Sequence, residues 1–145
     1  MRMHMQYIRR HYWKYRLHAP VQVDITLSIP QTIKTDYLEL TSAGQLTIHA
    51  GYMWDGASGP AKDTPNFMRA SLVHDALYQL IRLGQLRTSD RRYADQLLRR
   101  ICLADGMHCF RAWYVYWGVR IFGGYAIQPE VIEVPINVKQ NDPIV

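Results

Sequence analysis

A chain of 145 residues, 48% hydrophobic and 20% charged, favours one globular domain and excludes a disordered polymer. The net charge of +5 is uneven: Arg2, Arg9, Arg10, Lys14 and Arg16 fall in residues 1–18 without a single acid, leaving 12 basic against 12 acidic residues in the remainder. Two cysteines, Cys102 and Cys109, exclude a disulfide framework and a four-cysteine zinc site; they read as buried thiols in a reducing compartment such as bacterial cytoplasm.

Residues 1–18 form a basic-aromatic arm, either a short amphipathic helix or an extended segment. Such an arm can meet a phosphate-rich surface or stay solvated. From residue 19 the period changes. Val21, Val23, Ile25 and Leu27 alternate with Gln22, Asp24 and Thr26, which predicts a half-buried strand ending at Pro30. Tyr37–Thr41 and Leu46–Ala50 are two further strand-like runs, joined by Ser42-Ala43-Gly44-Gln45 as a hairpin loop. Gly51–Pro60 is a glycine-rich loop.

Helical spacing begins at Asn66. A first helix over about 66–83 has Val73, Ala76, Leu77 and Leu80 as its stripe and Gly84 as its stop. Thr88 or Ser89 caps a second helix, with Ala94, Leu97, Leu98 and Ile101 inward. A third, over about 107–122, carries Phe110, Trp113, Tyr114, Trp117 and Ile121, read as core in preference to an interfacial surface. The tail 127–145 holds three prolines and a short edge strand at Val131–Val134. Strands followed by helices make an α+β domain over 19–126, between the arm and the tail. No apolar stretch is long enough to span a bilayer, and the N-terminal region lacks the apolar core of a signal peptide.

His74 and Asp75 are adjacent in the first helix, and Tyr78 shares the face of His74 one turn on. One helix thus offers an imidazole, the natural base near neutral pH, and a carboxylate suited to a hard cation. Antiparallel packing of the first two helices would return Asp95 to His74, where it could fix the tautomer. The same residues also suit a polar pair on a helix surface, with Asp95 favoured by its helix dipole.

His74-Asp75-Ala76-Leu77-Tyr78 resembles the His-Asp-x-x-Tyr helix of the phospholipase A2 superfamily, and Ala94-Asp95 its second-helix aspartate, 21 residues on as in the compact bacterial and parvovirus-capsid members. Gly84 and Tyr93 stand where the viral members have a glycine and a tyrosine. The resemblance implies His74 as the water-activating base, Asp95 as its orienting partner and Tyr78 as a hydrogen-bonding member of the dyad. It further implies calcium held by Asp75 and by the loop, with Asp55, Gly56 and Gly59 as donors. The loop departs from the family, because Gly56-Ala57-Ser58-Gly59 is one residue longer than Gly-x-Gly; Ser71 and Leu77 stand near where the animal enzymes have cysteines.

A broader resemblance runs over residues 37–123. The Gly-Tyr pair, Trp54-Asp55-Gly56-Ala57-Ser58-Gly59-Pro60, His74-Asp75-Ala76-Leu77-Tyr78 and Ala94-Asp95 are similar to a family of small phage and prophage proteins catalogued as domain of unknown function one-three-five-three. Two functions follow as expectations. One is a calcium-dependent hydrolase of phospholipid esters, made in the host cytoplasm and acting at the host envelope. The other is a tail, baseplate or connector component, virion-associated, in which arm and tail dock on other phage structural proteins and the His-Asp helix pair is scaffold. Nucleic-acid binding through residues 1–18 is a weaker third, since no DNA-binding motif accompanies the charge.

Overall fold

The computed structural model describes residues 15–56 and 64–128. The arm up to residue 14, Gly59 and the tail strand at Val131–Val134 lie outside those residues. The observed class is α+β: two small antiparallel sheets precede three helices.

The strands are β1 (Tyr15–Arg16), β2 (Val21–Asp24), β3 (Ile33–Lys34), β4 (Leu38–Leu40), β5 (Gln45–Ile48) and β6 (Met53–Trp54). The larger sheet has the order β2-β5-β4-β3, and β1 pairs with β6 in a separate two-stranded ladder. Period-two alternation explains the larger sheet: Leu38, Leu40, Leu46 and Ile48 all point inward and are fully buried, while Glu39, Gln45 and Thr47 point away. The register sets Leu38 opposite Ile48 and Leu40 opposite Leu46, so each buried pair lies on one face.

The first strand is shorter than its pattern. Ladder pairing stops at Asp24, yet Ile25 stays buried and Leu27 and Ile29 pack partly against the core. The backbone N–H of Ile25 donates to the Gly44 carbonyl, and that of Thr26 to the Tyr93 hydroxyl on the second helix. Alternation therefore records burial beyond the ladder, because the helices supply the second partner. The pairing of β1 with β6 has no period long enough to be read from sequence: each strand has two residues, and Tyr15 meets Trp54 across them, ring centroids 5.4 Å apart.

The helices are α1 (Pro65–Arg82), α2 (Arg91–Ala104) and α3 (Cys109–Phe122). Pro65 begins α1, where its missing N–H costs nothing. Gly84 and Gly106 take positive φ just past α1 and α2. The expected cap at Thr88 or Ser89 is not formed. Both belong to a short 3-10 turn, Thr88–Asp90, in which the Asp90 carboxylate accepts the Arg87 N–H at 3.0 Å and delays the start of α2 to Arg91. α3 begins two residues later than its pattern, with the His108 imidazole accepting from the Phe110 N–H.

α1 packs against α2 over the most extensive element contact, and α2 against α3. The contacts run antiparallel: Arg69 near the start of α1 meets Asp105 just past the end of α2, whereas Tyr78 late in α1 meets Asp95 early in α2. Leu77, Leu80, Leu98 and Cys102 fill this seam with almost no exposure. One of the two thiols expected to be buried, and the aromatic stripe expected in the core, are exposed instead. Cys109 is exposed, at the first turn of α3, while Cys102 is buried, its thiol pushed up to about 11 by burial. The stripe Phe110, Trp113, Tyr114, Trp117 and Ile121 is exposed, because Ala112 and Val115 on the opposite side of α3 are the residues buried. No helix among the described residues is long and apolar enough to cross a membrane.

Gly44 shows how tightly the β4–β5 turn meets the chain leaving β2. Its φ is +91°, and an added Cβ would run into the carbonyl oxygen of Ile25. Gly84 also has positive φ, +71°, but open space around it. In urea denaturation Gly44→Ala is expected to cost about 3 kcal/mol, adding a backbone clash to left-handed strain, and Gly84→Ala about 1 kcal/mol from strain alone. Equal losses would show that the clash is relieved.

Candidate active site

The site begins with the Asp95 carboxylate, which is 0% exposed. A charge taken out of water needs several strong partners. One oxygen accepts from His74 Nε2 at 2.7 Å and from the Tyr78 hydroxyl at 2.5 Å. The other accepts from Arg120 Nη1 on α3 at 2.9 Å, with Arg91 Nη1 at 3.6 Å one helical turn before Asp95. Arg91 also donates to the Arg120 carbonyl at 2.8 Å, tying α2 to the end of α3. Three helices therefore meet at one carboxylate.

His74 and Tyr78 share a face of α1, as their spacing requires, and their rings lie 4.0 Å apart between centroids. His74 is 7% exposed. Its Nδ1 faces Asp75 Oδ1 at 3.9 Å, too long for a hydrogen bond, so that carboxylate acts on it as a charge. Asp75 itself is half-buried. Burial alone would lower the His74 pKa, but Asp75 and Asp95 outweigh it and raise it above the ordinary imidazole value. Burial would likewise raise Asp95, but His74, Tyr78 and Arg120 outweigh it and hold the carboxyl below its ordinary value. The Tyr78 phenol is raised by burial and by Asp95. Tyr52, buried, is raised by desolvation and then by the negative charge of Asp75, with Arg82 opposing.

The Trp-Asp-Gly segment is anchored to the same helix. Trp54 Nε1 donates to Ser71 Oγ at 3.1 Å, and Ser71 Oγ donates to the Met68 carbonyl at 2.9 Å. Ser71 lies one turn before His74, so the chain leaving β6 as Asp55 and Gly56 starts beside α1. Gly56 has φ +74°. The structure thus brings together His74, Tyr78 and Asp95, sets Asp75 beside His74, and ties Trp54 one turn away. Gly59 and any cavity completed by residues 57–63 fall outside the described residues. Among the described residues no three or more His, Cys, Asp or Glu side chains gather as a metal cluster.

Sequence reasoning missed Arg120, Arg91 and Tyr52. Arg91 carried a signal, four residues before Asp95 on the same helix. Arg120 carried none beyond interrupting an apolar stretch, since its partner lies 25 residues away. Tyr52 sits in the glycine-rich loop, where its closeness to Asp75 depends on how the loop meets α1.

Fold and site together define an α+β protein with a buried His-Asp-Arg network carried on three antiparallel helices. The chain belongs to the family described as protein of unknown function DUF1353, whose model matches residues 32–119. No curated protein and no solved structure matches it.

Because the folded pKa of Asp95 lies below its unfolded value, its ionisation stabilises the fold above the unfolded pKa, and that stability is lost as pH falls through the folded pKa. Asp95→Asn leaves Arg120 and Arg91 without their anion and is expected to cost about 3 kcal/mol near neutrality. Its stability should also fall less steeply than wild type on acidification below about pH 4. Parallel acid limbs in chemical denaturation would show that Asp95 is not held ionised by this network.

Proposed function

We propose that this is a phage or prophage hydrolase with a phospholipase A2-like His-Asp site, acting on a phospholipid ester at the host envelope. The observation that carries the reading is the 2.7 Å contact of His74 Nε2 with fully buried Asp95. An Nε2–H donating to Asp95 leaves the Nδ1 lone pair on the side of Asp75, which is half-buried. There Nδ1 would take a proton from water, and the resulting hydroxide would attack the ester carbonyl carbon. The C–O bond to the leaving alkoxide then breaks, and Nδ1–H returns the proton to that oxygen. Asp95 and Tyr78 hold the ring, and Asp95 balances the imidazolium.

Calcium fits the donor chemistry in part. Asp75 is a hard oxygen donor beside Nδ1, and the remaining oxygens would come from Asp55 and from backbone carbonyls of Gly56 and Gly59. When bound, the ion would supply polarisation of the ester carbonyl.

A second reading is favoured by the completeness of the network itself. A carboxylate with four partners on three helices is also what a scaffold needs, and the chain would then be a virion component made in the host cytoplasm that docks on other phage structural proteins.

Mixed micelles of phospholipid and detergent separate the two. Wild type should release fatty acid with calcium and not with chelator. His74→Ala should lose about 100-fold or more of that rate while keeping its circular dichroism spectrum. Asp75→Asn should require more calcium. No release from folded wild type under either condition would favour the scaffold.

A further inference from the structure

Outside the dyad, α3 is apolar on both of its faces. Ala112 and Val115 turn inward, and on the opposite side Phe110, Trp113, Trp117 and Ile121 recur at spacings of three and four. Phe110 is 68% and Ile121 67% exposed, and Phe122 and Tyr125 extend the exposed apolar surface past the helix end. A helix that is hydrophobic all round ordinarily has a second apolar neighbour.

The charge around this stripe indicates which neighbour. Residues 91–128 contain two carboxylates, and neither is available: Asp95 is buried and Asp105 is paired with Arg69 at 2.7 Å. The outer face of α2 presents Arg92, Arg99 and Arg100, all exposed. Arg99 and Arg100 line an open concavity of about 310 Å³ with Tyr116 of α3, and the Tyr116 ring lies edge-on to Trp117 at 5.4 Å. Aromatic stripe and arginine row are therefore contiguous, and α2 and α3 themselves place no free acid among the described residues between them.

We propose that the outer face of α2 and α3 docks on the surface of an anionic phospholipid bilayer. Tryptophan and tyrosine favour the headgroup boundary, where one edge is apolar and the other wet, and the aliphatic end of the stripe would enter the acyl region. The arginines would then meet lipid phosphates. A symmetric second copy would present this same surface, whose carboxylates Asp95 and Asp105 are already engaged, and so would bring no anion to these arginines. Nucleic acid would satisfy the arginines and stack on the rings, but would leave Ile121 and Phe122 against a polar backbone. The docking goes beyond the proposed hydrolysis and stands whether or not His74 reacts.

The test is flotation of the full chain with vesicles of diether phosphatidylglycerol, which have no ester to cleave, so that binding is read apart from hydrolysis. Wild type floats at low salt with a blue shift of tryptophan emission and does not float with diether phosphatidylcholine. Trp113→Ala/Trp117→Ala loses flotation while keeping its far-ultraviolet spectrum. Arg99→Gln and Arg100→Gln each weaken binding about fivefold. The proposal is overturned by absence of flotation at low salt, or by flotation unchanged in the tryptophan variant, which would put the contact elsewhere. It is equally overturned if the tryptophan variant instead dissolves a dimer of a chain that does not float, or if the chain binds duplex DNA in place of vesicles.

Discussion

A carboxylate without solvent exposure, Asp95, is the constraint on which the helical half of this protein depends. An ionised group in that position is tolerated only if its oxygens are fully engaged, and the four partners arrive from three helices: His74 and Tyr78 from α1, Arg91 from its own helix, Arg120 from α3. Satisfying Asp95 therefore fixes the rotation of α1 about its axis and the sliding of α3 along α2. The leucine seam of Leu77, Leu80 and Leu98 supplies burial but little register, because apolar contacts are non-directional. Short, charge-assisted bonds supply the register.

The same network makes the imidazole unlike one on a helix surface. Asp95 holds one ring nitrogen and is itself held by cations, so it remains ionised without becoming a strong competitor for the proton. Asp75 lies beyond the other nitrogen as a charge rather than as a bonding partner. The two carboxylates thus take different environments, one buried and saturated, one half-buried, which is how a pair of like groups can serve different roles. Strand β6 is bound into this arrangement through Trp54 and Ser71, which ties the β1–β6 ladder to the histidine helix.

α3 joins the buried network to the exposed aromatic stripe. Its inner edge delivers Arg120 to Asp95, and its outer edge carries the aromatic stripe. Arg91 bonds the Arg120 carbonyl, and Arg82 of α1 reaches the carbonyl of Ala126 beyond α3. The outer face of α3 therefore belongs to a helix whose inner end is clamped to the His74–Asp95 network.

The elements were legible in the sequence wherever a period ran long enough to be counted. Leu38, Leu40, Leu46 and Ile48 showed a sheet face, His74 to Tyr78 showed a common helix face, and the 21 residues from His74 to Asp95 matched two helices joined by a short turn. Local chemistry likewise marked Gly84 as a helix end. Pairings between distant short segments were not legible: β1 with β6 rests on two residues a side, and Arg120 reaches Asp95 only because α3 folds back along α2. Nor could periodicity say which side of α3 is covered. A stripe of large aromatics and a stripe of small residues both fit helical spacing, and it is the close approach of α2 that selects Ala112 and Val115 for the interior and leaves Trp113 and Trp117 outside. Sequence by itself determined which residues share a face; only the tertiary structure decided which faces meet, because that choice depends on the volumes and charges that neighbouring elements bring to the same place.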